Sequence, residues 1–197
     1  MTQVCGLLHG PMASGKTETL LACAQLLAPN FHRVIAIKSD TDTRWGGKHI
    51  RARSGLQLSA SSCSSLSGVF PQPGTLLVVD EAQFFPDLLS LYTRVLEEIR
   101  PGCGLIAAGL SEDSRGEPFG QVQSVAALLA TAKLPHVFSE PLYAVCSVPD
   151  CGRPAAHTAL AAHDVGGSDN NLRRQVSVGD IGQYQPMCSN HFSGHFS

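Results

Sequence analysis

The stretch Gly10-Pro11-Met12-Ala13-Ser14-Gly15-Lys16-Thr17 fits G-x-x-x-x-G-K-[ST] without deviation. Each part has a physical task. The glycines permit a tight turn whose backbone N–H groups point inward at phosphate oxygens. Lys16 supplies a point charge for the β- and γ-phosphates, Thr17 a hydroxyl for Mg²⁺, and the helix that starts there its positive dipole end. The flanks agree with this reading. A strand-like apolar run, Gln3 to Leu8, comes before it, and a helix-like segment, Lys16 to Ala28, comes after and is stopped by Pro29.

Further along, Val34 to Lys38 reads as a second strand, and Leu76-Leu-Val-Val79 as a strand buried on both faces. Asp87 to Arg100 carries Leu88, Leu91, Val95 and Ile99 at helical spacing and predicts an amphipathic helix. Gly104 to Leu110 is a third apolar strand, Gln121 to Lys133 an Ala- and Leu-rich helix, and Val137-Phe138 a last short strand. Strands alternating with helices indicate an α/β fold: a P-loop (RecA-like) parallel sheet with helices on both faces. Thr41 to Gly74 is polar and irregular. Its serine-rich tract, Ser59 to Ser67, reads as a mobile loop, with a frayed helix as the alternative. Beyond Pro141 cysteines, glycines and turns dominate, so a boundary is expected there between an α/β nucleotide-binding domain, 1–141, and a small zinc-ribbon or lasso domain, 142–197.

Asp80 and Glu81 close the buried run at Leu76–Val79. In open α/β sheets ligands bind at the carboxyl ends of the strands. Adjacent residues at a strand end point different ways. Asp80 can therefore face a metal while Glu81 faces a substrate hydroxyl as general base. Glu81 orienting a hydrolytic water, which would make an ATPase, is equally open on this pattern. In the second half, Cys146-x4-Cys151 and Cys188-x2-His191 form two ligand pairs, a thiolate and imidazole set suited to tetrahedral Zn²⁺. The stretch Gly166 to Asn170 between them looks like a hairpin tip.

The chain has 197 residues, 43% hydrophobic and 15% charged, enough for a core without disulfide staples. With 14 basic and 16 acidic residues it shows no basic excess of the kind nucleic-acid binding or membrane-surface attachment requires. No apolar run is long enough for a signal peptide or a span, so a cytoplasmic location is expected. Seven scattered cysteines fit free thiols plus a metal site. Three functions remain: a nucleoside kinase, a P-loop ATPase with a zinc ribbon acting on nucleic acid, and a zinc-ribbon interaction protein. The charge balance disfavours the second, and the intact Lys16, Asp80 and Glu81 disfavour the third.

The phosphate loop, Asp42-Thr43-Arg44, Asp80-Glu-Ala-Gln-Phe-Phe-Pro-Asp87, Gly109-Leu110 with Glu117-Pro-Phe-Gly120, and Ala144-Val-Cys146 together resemble the type II, zinc-binding thymidine kinases. Order and spacing agree from Gly10 to His191. The resemblance implies ATP-dependent 5′-phosphorylation of thymidine with Mg²⁺ and a structural Zn²⁺. It implies Glu81 as proton acceptor, Thr17 and Asp80 on the Mg²⁺ side, and Arg44 as a catalytic charge stabiliser. Gly10 to Thr17, Asp42, Thr43, Arg44, Asp80, Glu81, Ala82 and Gln83 then serve the nucleotide. Met12, Phe84, Leu110, Ser114, Phe119, Thr158, Gln175, Val176, Ser177, Val178, Gly179 and Tyr184 line the nucleoside site, with 175–179 as the lasso. A homotetramer inhibited by thymidine triphosphate is also implied. Three departures stand out. Ser114 occupies the place of a base-stacking phenylalanine, where Phe84 or Phe119 could fill the gap. The first zinc pair is widely spaced, with His191 replacing the fourth cysteine. Ser54 to Val69 is serine-rich where relatives are more helix-like.

Overall fold

The structure, a computed structural model, describes residues 4–42, 48–69, 72–97, 102–161 and 183–195. A seven-stranded sheet is built from β1 (Val4–Gly10), β2 (Arg33–Ser39), β3 (His49–Arg51), β4 (Gln57–Cys63), β5 (Thr75–Asp80), β6 (Gly104–Leu110) and β7 (Val137–Pro141). The spatial order is β3-β4-β2-β5-β6-β1-β7. All pairings are parallel except β3 with β4. One strand, β6, intervenes between the phosphate-loop strand β1 and the acid-bearing strand β5. This is the RecA-like arrangement expected above.

The period of two along each strand divides the core into two layers. Leu76, Val78, Ile106 and Ala108 pack with Leu20, Leu21 and Ala24 of helix α1 (Lys16–Leu27) on one face. Leu77, Val79, Leu105 and Ala107 pack on the other face, with Leu88, Leu91, Tyr92 and Val95 of α2 (Leu88–Glu97) and Val122, Val125 and Leu129 of α3 (Val122–Thr131). The buried Tyr92 hydroxyl donates to the Gly6 carbonyl at 2.7 Å and fixes α2 to β1. Gly6 has no room for a side chain, because a Cβ there would lie 2.1 Å from the Phe138 ring.

The expectation of a mobile loop over the serine-rich tract is corrected. Most of it is strand β4, which pairs in parallel with β2 (Ala36 opposite Ala60, Ser39 opposite Cys63) and antiparallel with β3. Leu58 and Ala60 pack against the α1 face, while Ser59 and Ser61 point away from it. The alternation is present, but its inward members are too small to stand out among serines.

After β7 the chain forms two small antiparallel sheets. Strands β8 (Ala144–Val145) and β9 (Pro154–Ala155) make one, and β10 (His157–Leu160) and β11 (Tyr184–Met187) make the other, followed by α4 (Ser189–His195). Among the described residues Ala144, Cys146, Ala155 and Cys188 form one apolar cluster, with Val148 and Cys151 at its margin, and Ala159, Ala161 and Met187 are buried as well. Thr43, Arg44, the expected hairpin tip at 166–170 and the lasso residues Gln175, Val176, Ser177, Val178 and Gly179 lie outside the described residues.

Candidate active site and metal centre

The phosphate loop wraps the start of α1. Gly15 stands at the N-cap in the left-handed region, φ 79°, with open space where a Cβ would project. Ala13 shares that conformation at φ 60°. Alternating hand of this kind turns successive N–H groups into an anion-binding concavity. The Lys16 ammonium donates to the Pro11 carbonyl and lies 3.4 Å from the Ser14 hydroxyl, which itself donates to Pro11 O at 2.9 Å. The Met12 N–H donates to the Thr158 hydroxyl at 2.9 Å, so a residue of β10 is seated directly on the loop.

Across the sheet, Thr17 Oγ1 reaches both carboxylate oxygens of Asp80, at 3.3 and 3.2 Å. Burial and then the neighbouring Glu81 push the Asp80 carboxyl above the usual carboxylate range. A buried carboxylate that is costly to ionise, beside a hydroxyl, is a donor set suited to a small divalent cation. Glu81 itself adopts left-handed backbone, φ 53°. Gln83, almost fully buried, donates to Glu81 Oε2 at 2.6 Å and accepts the Leu110 N–H at 2.9 Å. Gln83 thus fixes the Glu81 carboxylate against the end of β6. Ala82 lies wholly within the core layer of α2.

The segment following β6 packs against the turn that carries Glu81. Phe119 is buried and meets Phe84 edge to face, with ring centroids 5.5 Å apart. Gly120 adopts φ +57°, and a Cβ there would lie 2.2 Å from the Gln83 carbonyl, so only glycine lets this segment approach the Glu81 turn. Asp113 holds the loop tip through the N–H groups of Arg115 and Glu117, at 2.8 and 3.0 Å, and through the Arg115 guanidinium. Ser114 sits half-buried in this tip, and Leu110 and Tyr184 are half-buried as well. Asp42 is buried and paired with Lys38, 3.1 Å apart. Sequence reasoning missed Lys38. Its register position opposite Asp80 brings it to the same end of the sheet, and the one available signal was a lysine closing an otherwise apolar strand, four residues before Asp42.

The four metal-ligand candidates converge. One ligand atom from each of Cys146, Cys151, Cys188 and His191 lies within 4.8 Å of every other. Individual separations are 3.9 Å for Cys151 to Cys188, 3.3 Å for Cys146 Sγ to His191 Nδ1 and 3.6 Å for Cys188 Sγ to His191 Nδ1. Tetrahedral zinc with ordinary bond lengths requires S···S of ~3.8 Å and S···N of ~3.6 Å. The set therefore fits Zn²⁺ by both chemistry and size. The β8–β9 turn carries the first pair, and the wide x4 spacing is accommodated by left-handed Asp150 and Gly152 around Cys151. The first turn of α4 carries the second pair. Hydrogen bonding from Arg153, 3.2 Å away, lowers the Cys151 thiol to about 6, which favours the thiolate that a metal binds.

Among the described residues no helix is long and apolar enough to cross a membrane. The thymidine kinase family profile matches residues 4–192. A thymidine kinase of Pyrobaculum aerophilum is 32% identical over 193 residues, covering 94% of this chain and 96% of that protein. With the phosphate loop, the Asp80-Glu81 pair and the Cys/His cluster in place, the match spans both halves of the molecule, and the chain belongs to the thymidine kinase family.

Proposed function

We propose that the protein transfers the γ-phosphoryl group of ATP to the 5′-hydroxyl of thymidine, with Glu81 as the general base. The observation that carries this reading is the placement of Glu81: next to Asp80 at the end of β5, in left-handed backbone, and held by a buried glutamine anchored to the next strand. A base must be oriented before its proton affinity is useful. The loop Gly10–Thr17 receives the phosphates through its N–H groups and Lys16. Phosphoryl transfer needs positioning and charge stabilisation more than covalent help. Thr17 and Asp80 would hold Mg²⁺, whose contribution is to neutralise charge on the phosphate oxygens. Arg44 and Asp42 act on the phosphate side, and Zn²⁺ at Cys146, Cys151, Cys188 and His191 is structural. Met12, Phe84, Leu110, Ser114, Phe119, Thr158, Tyr184 and the lasso 175–179 form the nucleoside site. The homotetramer, feedback by thymidine triphosphate and cytoplasmic location follow from the family resemblance alone.

Ser114 shapes specificity. Serine offers no face for stacking, so the pocket is looser at this point than one that carries a ring there. Deoxycytidine should therefore be accepted alongside thymidine. Installing the ring with Ser114→Phe should raise the thymidine preference by roughly 5- to 150-fold, the equivalent of ~1–3 kcal/mol of stacking. An unchanged ratio would show that the loop tip does not face the base. The decisive assay incubates the protein with ATP, Mg²⁺ and a nucleoside panel, beside Lys16→Ala. Thymidine monophosphate should form with the wild type and fall to background with the variant. ATP hydrolysis without nucleoside phosphorylation would instead support the ATPase reading.

A further inference from the structure

The metal cluster and the wall loop after β6 are separate in sequence, yet one side chain joins them. His157 Nδ1 lies 2.9 Å from Glu112 Oε2, and its Nε2 lies 3.2 Å from the Ser189 hydroxyl. A carboxylate only accepts, so Nδ1 carries the proton and donates to Glu112. The imidazole also stacks on Phe192, with centroids 4.4 Å apart and planes inclined by 11°. Ser189 and Phe192 belong to the helical turn that carries Cys188 and His191, and the Phe192 N–H donates to the Cys188 carbonyl at 2.9 Å. The same phenyl ring lies under Gly116 at the other end of the loop, 3.0 Å from where a Cβ would stand. Glu112 bridges to Pro118 within the loop, and the Phe119 N–H donates to the Ser111 carbonyl at 3.1 Å. The contacts thus run from the ligand-bearing turn, through His157, to both ends of the segment presenting Ser114 and Phe119.

We propose that His157 and Glu112 are positioning residues that transmit occupancy of the Cys/His metal site to the wall of the nucleoside pocket. The inference rests on the zinc and nucleoside assignments above. Without metal, the turn bearing Ser189 and Phe192 loses its fixed ligands, His157 loses two of its three partners, and the loop 111–119 loses its outer support. Neither side chain touches a reacting atom, so their removal falls on nucleoside binding, whereas loss of the metal itself also loosens Thr158 on the phosphate loop.

The test is amide hydrogen exchange of residues 111–119 in the full-length protein, zinc-loaded and after chelation. The variants are His157→Ala, Glu112→Ala and Glu112→Gln. In the wild type, chelation should speed exchange there by roughly tenfold. Glu112→Ala and His157→Ala should show the fast exchange with zinc still bound and respond little to chelation. Glu112→Gln keeps an acceptor for Nδ1–H and should stay slow. In kinetics, the nucleoside KM of the alanine variants should rise about fivefold, with kcat and the ATP KM within twofold. If His157→Ala sheds zinc, Glu112→Ala, which lies outside the metal module, decides alone. Wild-type exchange in the zinc-loaded Glu112→Ala loop, or an equal response to chelation in variant and wild type, would overturn the proposal. Coupled exchange without any nucleoside phosphorylation would overturn the kinase reading and leave the coupling standing.

Discussion

The two halves of the molecule differ in how much apolar surface their described residues bury together. The sheet domain buries two full apolar layers, with Leu7, Leu77, Leu105 and Tyr92 removed from solvent on one face and Leu20, Leu76 and Val78 on the other. Among the described residues, the apolar cluster of the segment after β7 has six residues in and around it, three of them cysteines. Apolar burial is worth ~25 cal/mol per Å², and this described cluster alone offsets little of the entropy of ordering two strand pairs and a helix. The sheet should therefore fold on its own contacts, and the module on its metal.

The largest expected effect breaks the module alone. Structural zinc contributes ~10–16 kcal/mol of apparent binding energy in finger peptides. Exchanging Cys146 and Cys188 together for alanine should abolish the one bound Zn²⁺ per chain, read by elemental analysis, and unfold residues 142–197 while the sheet still melts cooperatively. Metal that survives both exchanges would refute the four-ligand set.

Next in size is a change in the sheet domain that should leave both folds intact. Removing a general base typically costs ~10²–10⁴-fold in rate. Glu81→Gln should lower turnover by that factor with bound zinc and melting temperature unchanged, and turnover within a few-fold of wild type would remove Glu81 from the base position. Leu77→Ala inverts the experiment. A buried Leu→Ala change costs ~2–5 kcal/mol, so the main melting transition should fall while zinc content remains full. Zinc lost in parallel would show that the halves fold as one unit.

The smallest effect concerns pH. Asp80 has a folded-state carboxyl raised above its unfolded value, chiefly by burial. Such a group destabilises the metal-free fold above its folded-state pKa, and that penalty is relieved as pH falls toward the unfolded value. Asp80→Asn should therefore stabilise the metal-free protein slightly at neutral pH, by up to ~1–2 kcal/mol, flatten its stability between pH 5 and 8, and abolish activity. A variant less stable than wild type at neutral pH would show that the Thr17 hydrogen bonds outweigh the burial.

The same contrast explains what the sequence could reveal. Strands such as Leu76–Val79 and Gly104–Leu110 are buried on both faces and read as unbroken apolar runs. The phosphate loop has a spacing few other structures require. The Cys/His cluster was legible because thiolate and imidazole pairs at short spacing have few other uses. Strand β4 was not legible, because its inward residues are one leucine, one alanine and a cysteine among serines, and its pairing with β2 is decided by tertiary context. Gln83 as the anchor of Glu81 and His157 as the bridge to Glu112 join residues that no local pattern connects. Such contacts exist only once the sheet has brought the strand ends together.

Lys16 adds a consequence for ligand exchange. Its ammonium already rests on the Pro11 carbonyl, with the Ser14 hydroxyl close by. A lysine side chain gives up as much as ~2 kcal/mol of rotamer entropy when it is fixed. Here much of that loss has occurred before any phosphate arrives. On the proposed function, nucleotide binding at this residue would be a swap of acceptors, a neutral carbonyl for an anionic oxygen, with the carbonyl ready to take the ammonium back when product departs. The loop would thereby give up some gross affinity for the anion and gain a ready route for its release.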